Sequence, residues 1–585
     1  MNKKKKNIYI GIALGCILLV ATLFRFYKLS NIPPSLNWDE VAFGYNAHSL
    51  LKTGKDEFGT SFPLYFRSLD DYKLPVYMYA TVGSIALFGY NDFAVRFPSA
   101  FFGSLTVLLV YFLVKGLFLL SFRPPSRNLK MPNSSFAKAS ADRQVRHDID
   151  DIMPLLSSLL LAILPWHIQF SRMAAEANAG LFFLTLGVTL FLYGIHTYYW
   201  LSPLSIIAFG LAAYSYLSFR IVAACIGLIL VFLYWKDIRL IQKKILVITG
   251  ISVACIAGFL LWDMLFHNVH VRVQGTSVFG TQQAFDIFKH KEQEMFYDAT
   301  LKINLTRRLF HDNPVFTTAD VMVRGYLTHF SPIFLFFDYD EKQHHTPFVG
   351  LLFIWMLPFI LLGLYYVIQH VRKREATLIV LWLLIAPIPA SITWDIPHAI
   401  RVFGMSIPLV ILIACGVYSL VNFLYKKKFI FGLIASSTIV FLIGLSSYYY
   451  AHQYILHLPQ ERSQDWVYGR KEMTEYLEKN KSKYDRIIVS SSLEWPYIFM
   501  LYYSRYDPAR YLLQGGTISG GWGEDKNSYD LYEFHTFRKE DMRANHTLFV
   551  GKPEEFDKDI IPMKIVYYVD GEPAIYIAEG NIKIQ

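Results

Sequence analysis

The chain alternates long apolar runs with short polar connections, and its texture changes only after about residue 460. About eleven runs read as membrane-spanning helices: Ile8–Phe24, Ala94–Val114, Ile152–Phe170, Ala179–Ile195, Trp200–Leu217, Ile221–Trp235, Ile245–Phe266, Phe348–Ile368, Ala376–Ile392, Val402–Val421 and Phe429–Leu445. Crossing a hydrocarbon core of ~30 Å at ~1.5 Å per residue takes about 20 apolar residues, and most of these runs approach that length. One further run, Pro75–Phe88, is short, opens on proline and carries Tyr77, Tyr79, Thr81 and Ser84. Whether it spans sets the sidedness of everything after it.

The basic residues resolve this. If Pro75–Phe88 does not cross, the N-terminal lysines, Lys115–Arg146, Lys236–Lys244, Arg372–Arg374 and Lys426–Lys428 all fall on one side. That is the asymmetry expected of cytoplasmic connections, so Pro75–Phe88 reads as a juxtamembrane segment in the interface. The opposite face then receives the first loop (29–93), the turn 171–178, the long loop 267–347 and everything after Leu445. The stretch 121–151 is polar, basic and Pro/Ser-rich, and reads as a disordered cytoplasmic insert.

From about residue 459 the composition is that of a soluble domain. Arg462–Asn480 has helical character, and 485–491, 547–551 and 564–569 read as strands. The Gly-rich stretch 515–523 lacks the Lys-Ser/Thr of a phosphate-binding loop and reads as an ordinary loop. The expected fold is a polytopic α-helical membrane bundle over 1–458, with outer loops 29–93 and 267–347, followed by a soluble α/β domain over 459–585.

Composition agrees: 54% of residues are hydrophobic and 17% charged. The net charge of +10 sits in the connections between spans, which argues against nucleic-acid binding. Cys16, Cys225, Cys255 and Cys415 all lie inside apolar runs, so neither a disulfide framework nor a cysteine metal site is implied. No small-residue cleavage site follows the first run, which reads as an uncleaved span.

Candidate chemistry gathers on the face of the large loops. Asp39 and Glu40 open a helix-like stretch in the first loop, where carboxylates serve equally as helix caps or as groups that deprotonate an acceptor or hold a metal. Asp71 and Lys73 follow in the same loop. Glu176 comes four residues after Arg172, a spacing that also suits a structural ion pair. Arg96, Arg220, Arg324 and Arg401 lie at outer span ends, and His344 and His345 in the long loop. A guanidinium fork matches phosphate oxygens, although snorkelling span ends have the same composition. No His-x-Glu zinc spacing and no serine nucleophile elbow is present.

Taken in order, these residues resemble the GT-C membrane glycosyltransferases of the protein O-mannosyltransferase and lipid A aminoarabinose transferase type. The resemblance rests on Asp39-Glu40-x3-Gly44-Tyr45, on Asp71-x-Lys73-x-Pro75, on Leu87 through Ser99, and on Pro165-x6-Arg172-x3-Glu176. It implies a GT-C bundle and an inverting transfer from a polyprenyl-phosphate-linked sugar to a hydroxyl on a protein, lipid or glycan acceptor, at the extracytoplasmic face of a bacterial plasma membrane. Asp39, Glu40 and Glu176 are the implied catalytic residues. Asp71, Lys73, Arg96, Arg172, Arg220, His345 and Arg401 are the implied substrate-binding residues. Asp39, Glu40 and Asp71 are the candidates to hold a divalent ion, which the sequence does not itself require. The family more often has aspartate where Glu176 stands, and two prolines where this chain has Leu74-Pro75. The competing reading, a carrier of lipid-linked sugars, predicts mid-membrane charges and repeated spans, and neither is visible.

Overall fold

The computed structural model describes residues 3–69, 71–121, 151–266, 296–297, 299–301, 305, 307–311, 313–337, 341–393, 395–519, 527–538 and 540–580. The insert 122–150, the first part of the long loop (267–295) and residues 520–526 of the Gly-rich stretch lie outside them. The chain forms two compact units. The first comprises Met1–Phe24, Phe102–Gln169 and Ala177–Tyr449, and the second Arg25–Phe101, Phe170–Glu176 and Tyr450–Gln585.

The expected spans are helical. Among the described residues, seven helices are long and apolar enough to cross a membrane, beginning at Lys5, Asp92, Glu176, Lys243, Lys373, Phe403 and Phe429. The expected span Ile152–Phe170 is instead two helices, Asp151–Ile163 and Pro165–Arg172, bent by 56°. Pro165 is the cause, since its ring and missing N–H break the helical ladder at that point. The remaining three runs form the shorter helices Leu201–Ala213, Leu217–Leu233 and Ile354–His370. The chain is therefore a polytopic helical membrane protein with a C-terminal sheet domain.

In the first unit, helices Leu357–His370 and Ser406–Lys427 approach through glycine. A Cβ on Gly363 would lie 1.8 Å from the Leu412 carbonyl oxygen, and one on Gly416 would lie 2.1 Å from that of Phe359. Close backbone contact at small residues is how helices gain packing where lipid removes the hydrophobic drive.

The second unit carries a six-stranded sheet from β3 (Arg486–Val489), β4 (Ser528–Tyr529), β5 (Tyr532–Phe534), β6 (Thr547–Gly551), β7 (Lys564–Tyr567) and β8 (Pro573–Glu579), in the order β4-β5-β3-β6-β8-β7. Strand β3 runs parallel to β5 and β6, and the other pairs are antiparallel. Strands β3, β6 and β7 fall where apolar runs place them, and β6 is buried throughout. The helix expected over 462–480 begins only at Arg470, because Val467 (φ 45°) and Gly469 (φ 96°) hold the preceding turns in left-handed conformations.

The first loop belongs to this same unit. Helix α1, Trp38–Thr53, follows a capping box in which the Asn37 side-chain Oδ1 accepts from the Glu40 N–H and the Glu40 carboxylate from the Asn37 N–H. Its Gly44 faces the helix Pro496–Tyr503, where a Cβ would lie 2.3 Å from the Tyr502 ring. Pro75–Phe88 is a 14-residue helix in the same unit, with Tyr77, Met78, Thr81 and Ser84 buried.

Candidate active site

Adjacent residues Asp39 and Glu40 have opposite environments. About 100° separates neighbours around a helix, so the two side chains leave on different faces. Glu40 is 1% exposed. Its carboxylate accepts from Arg96 Nε (2.9 Å) and Nη2 (2.9 Å), from the Asn37 N–H (3.1 Å) and from the Ala174 N–H (2.8 Å). The Asp39 side chain is 38% exposed and pairs with Lys73 Nζ at 2.9 Å. Of the two carboxylates, Asp39 is the one open to solvent.

Arg96 is fully buried, and its five N–H donors are spent inside the protein. Besides Glu40, it donates to the carbonyls of Leu29 (3.1 Å), Pro33 (2.9 Å) and Ser35, and its guanidinium lies over the Trp466 ring at 5.7 Å. Arg172 is similarly occupied, donating from Nη2 to the Tyr27 (2.7 Å) and Ile32 (3.0 Å) carbonyls and stacking on Tyr454 at 4.9 Å. These two arginines, expected at a phosphate, instead hold the backbone of 27–35 and so fix where α1 begins. Glu176 opens the helix Glu176–His196 and is buried. The Glu40 contact with Ala174 secures the turn leading to it.

Of the three residues expected to hold a divalent ion, Asp39, Glu40 and Asp71, Glu40 is already fully engaged. Four N–H donors fill the Glu40 oxygens, and ligation would require breaking the buried Arg96 pair. The Asp71 backbone forms β2 (Asp71–Lys73), which pairs with β1 (Phe66–Ser68). The Asp71 side chain lies outside the described residues.

In the first unit, Arg220 pairs with Asp263, itself 1% exposed, at 3.1 Å and donates to the Ala213 carbonyl at 3.2 Å. Arg401 donates to Thr393 Oγ1 (2.8 Å) and the Asp395 carbonyl (3.0 Å), with Nη2 3.5 Å from the Asp395 carboxylate. His345 is buried. Asp263 escapes sequence reading because a lone carboxylate inside an apolar run gives no local sign of an arginine 43 residues earlier.

The first loop also contains Glu57, fully buried. It accepts from Asn46 Nδ2 at 2.8 Å and from Thr517 Oγ1 at 2.7 Å, while the Thr517 N–H donates to the Glu57 carbonyl at 2.9 Å. Burial pushes its carboxyl up to about 7 from the ordinary 4.5. The folded chain then holds this proton more tightly than the unfolded one. The resulting stability is full below about pH 4.5 and is lost as pH rises through 7, by roughly 3 kcal/mol over that window. The second unit is expected to melt higher at pH 5 than at pH 8, and Glu57→Gln to flatten the difference. A near-ultraviolet circular dichroism melt with no such slope in the native chain would refute this.

Residues 15–119 match the family profile described as dolichyl-phosphate-mannose-protein mannosyltransferase. No curated protein matches the sequence. Among solved structures, the chain is similar to ArnT from Cupriavidus metallidurans bound to undecaprenyl phosphate, with 12% identity, a TM-score of 0.50 and 98% of each chain covered. It is also similar to the archaeal oligosaccharyltransferase AglB from Archaeoglobus fulgidus in complex with an inhibitory peptide and a dolichol-phosphate. There identity is 14% and the TM-score 0.46, with 85% of this chain and 64% of that chain covered. This chain thus spans somewhat under two thirds of the oligosaccharyltransferase.

Proposed function

Starting from a chain with the GT-C fold and a mannosyltransferase-type first span and loop, we propose that it is a glycosyltransferase. It moves a hexosyl or pentosyl group from a polyprenyl phosphate to an acceptor hydroxyl at the extracytoplasmic face of a bacterial plasma membrane. The observation behind this reading is Asp39, a half-exposed carboxylate on a helix whose start is fixed by the Glu40–Arg96 pair.

In this proposal the Asp39 carboxylate takes the proton from the acceptor hydroxyl as its oxygen attacks the anomeric carbon from the face opposite the phosphate. The bond from that carbon to the phosphate oxygen breaks, and its electron pair leaves on the polyprenyl phosphate with inversion. Lys73 orients Asp39 and places a positive charge beside it, which favours the departing phosphate. Glu40 and Arg96 act as positioning residues. No step requires a metal.

The test is transfer by the purified full-length chain from a panel of labelled polyprenyl-phosphate sugars to protein, lipid and glycan acceptors, with product stereochemistry read by NMR. A glycosidic product of inverted configuration is expected. Movement of labelled lipid between leaflets without any glycosidic product would overturn the assignment in favour of a carrier.

A further inference from the structure

A second constellation lies in the first unit, made of two short segments far apart in sequence. Glu341 precedes the 3-10 turn Lys342–His344, and Asp395 and His398 lie in the segment before Arg401. One donor atom each from Glu341, Asp395 and His398 lie within 4.8 Å of one another. The two Glu341 oxygens face two imidazoles: Oε2 is 3.5 Å from His344 Nε2, and Oε1 is 3.9 Å from His398 Nε2. His398 Nε2 is also 3.5 Å from Asp395 Oδ2, and the two imidazole centroids are 5.1 Å apart.

These separations are long for hydrogen bonds, which favour about 2.7–3.2 Å. The 3.5 Å between His398 Nε2 and Asp395 Oδ2 suits two ligands sharing one ion. Donors bound at about 2.0–2.2 Å in tetrahedral geometry stand roughly 3.3–3.6 Å from one another. The site is also supported from behind. The His398 N–H donates to His329 Nε2 at 3.2 Å, and His329 Nδ1 bonds the Gly325 carbonyl at 2.7 Å, so one buried histidine holds the backbone of another. Arg401 secures the other side by donating to the Asp395 carbonyl at 3.0 Å. Ligands held by outer partners in this way are pre-organised for a metal.

We propose that Glu341, Asp395 and His398 form a binding site for one divalent transition-metal ion, zinc by the chemistry of an imidazole with two carboxylates, with the His344 imidazole beside Glu341. The ion cross-links the segment 341–344 to the segment 395–398. It is independent of the Asp39 carboxylate and of the transfer proposed above.

The full chain in detergent, stripped with a chelator and titrated with Zn2+, is expected to bind about one ion per chain. The same protein loaded with Co2+ should show the visible absorption of a tetrahedral nitrogen- and oxygen-ligated ion. His344→Ala combined with His398→Ala should abolish both signals. Glu341→Gln, whose side chain is half exposed and tolerates exchange, should weaken zinc affinity at least tenfold while the chain stays folded. Zinc should raise the melting temperature of the native chain and leave that of the double variant unmoved. Asp39→Asn should retain full zinc content. Failure of the native chain to bind zinc at micromolar free metal would overturn the site. Undiminished binding by the double variant or by Glu341→Gln would do the same.

Discussion

Asp39→Asn is expected to leave the chain folded and to lower sugar transfer by about 10²–10⁴-fold, the range of a positioned general base. The replacement is nearly isosteric, and the Asp39 side chain is 38% exposed. Folding loses the charge of the Asp39 pair with Lys73 but keeps an amide oxygen that can accept from its ammonium. The amide has no basic oxygen to receive the acceptor proton, so the loss falls on kcat. The acceptor KM should change little. Measured kcat within threefold of the native value, in protein with an unchanged melting temperature, would remove Asp39 from catalysis.

Arg96→Met should have the opposite character, a loss of fold that takes activity with it. Methionine fills much of the volume but provides none of the five donors. Glu40 would be left as a buried carboxylate without its counter-charge, and the carbonyls of Leu29, Pro33 and Ser35 would lose their donor. Breaking a buried pair from one side costs about 3–5 kcal/mol. Thermal melts in detergent should therefore show a collapse of the second unit, with rapid proteolysis of the 27–35 segment. Arg96→Lys should rescue poorly, because one ammonium cannot reproduce a bidentate fork plus three carbonyl contacts. An Arg96→Met chain that melts normally but no longer binds polyprenyl phosphate would reverse the assignment and return Arg96 to the substrate.

The two outcomes differ because adjacent residues were put to different uses. In sequence, Asp39-Glu40 is one acidic signal, and nothing local says which carboxylate is free. The arginines mislead for a related reason. A guanidinium fork fits a phosphate and a set of backbone carbonyls equally well, and the carbonyls that Arg96 and Arg172 hold belong to 27–35, remote in sequence from both. The metal site proposed above, at Glu341, Asp395 and His398, escapes sequence reading because a ligand set joining residue 341 to residues 395–398 leaves no local pattern.

Gly44 shows how far a motif reaches. The spacing Asp39-Glu40-x3-Gly44-Tyr45 is visible in the sequence, but its reason is the Tyr502 ring from the C-terminal part of the chain packed against a missing side chain. Likewise the buried Glu57 joins the first loop to Thr517 through two hydrogen bonds, which neither segment announces.

By itself the sequence determined the membrane class, the position of the helices formed by its long apolar runs and the strands β3, β6 and β7. These depend on local hydrophobic runs whose length and period act within a few turns. It also marked Asp39 through an ordered set of neighbours. The tertiary structure decided the bend at Pro165, the order of the sheet, the union of the first loop with the C-terminal domain in one unit, and the burial of Glu40 beside a half-exposed Asp39. Those features depend on which distant groups come to share a dry environment, where an unpaired charge costs several kcal/mol, and only the folded chain supplies the partners.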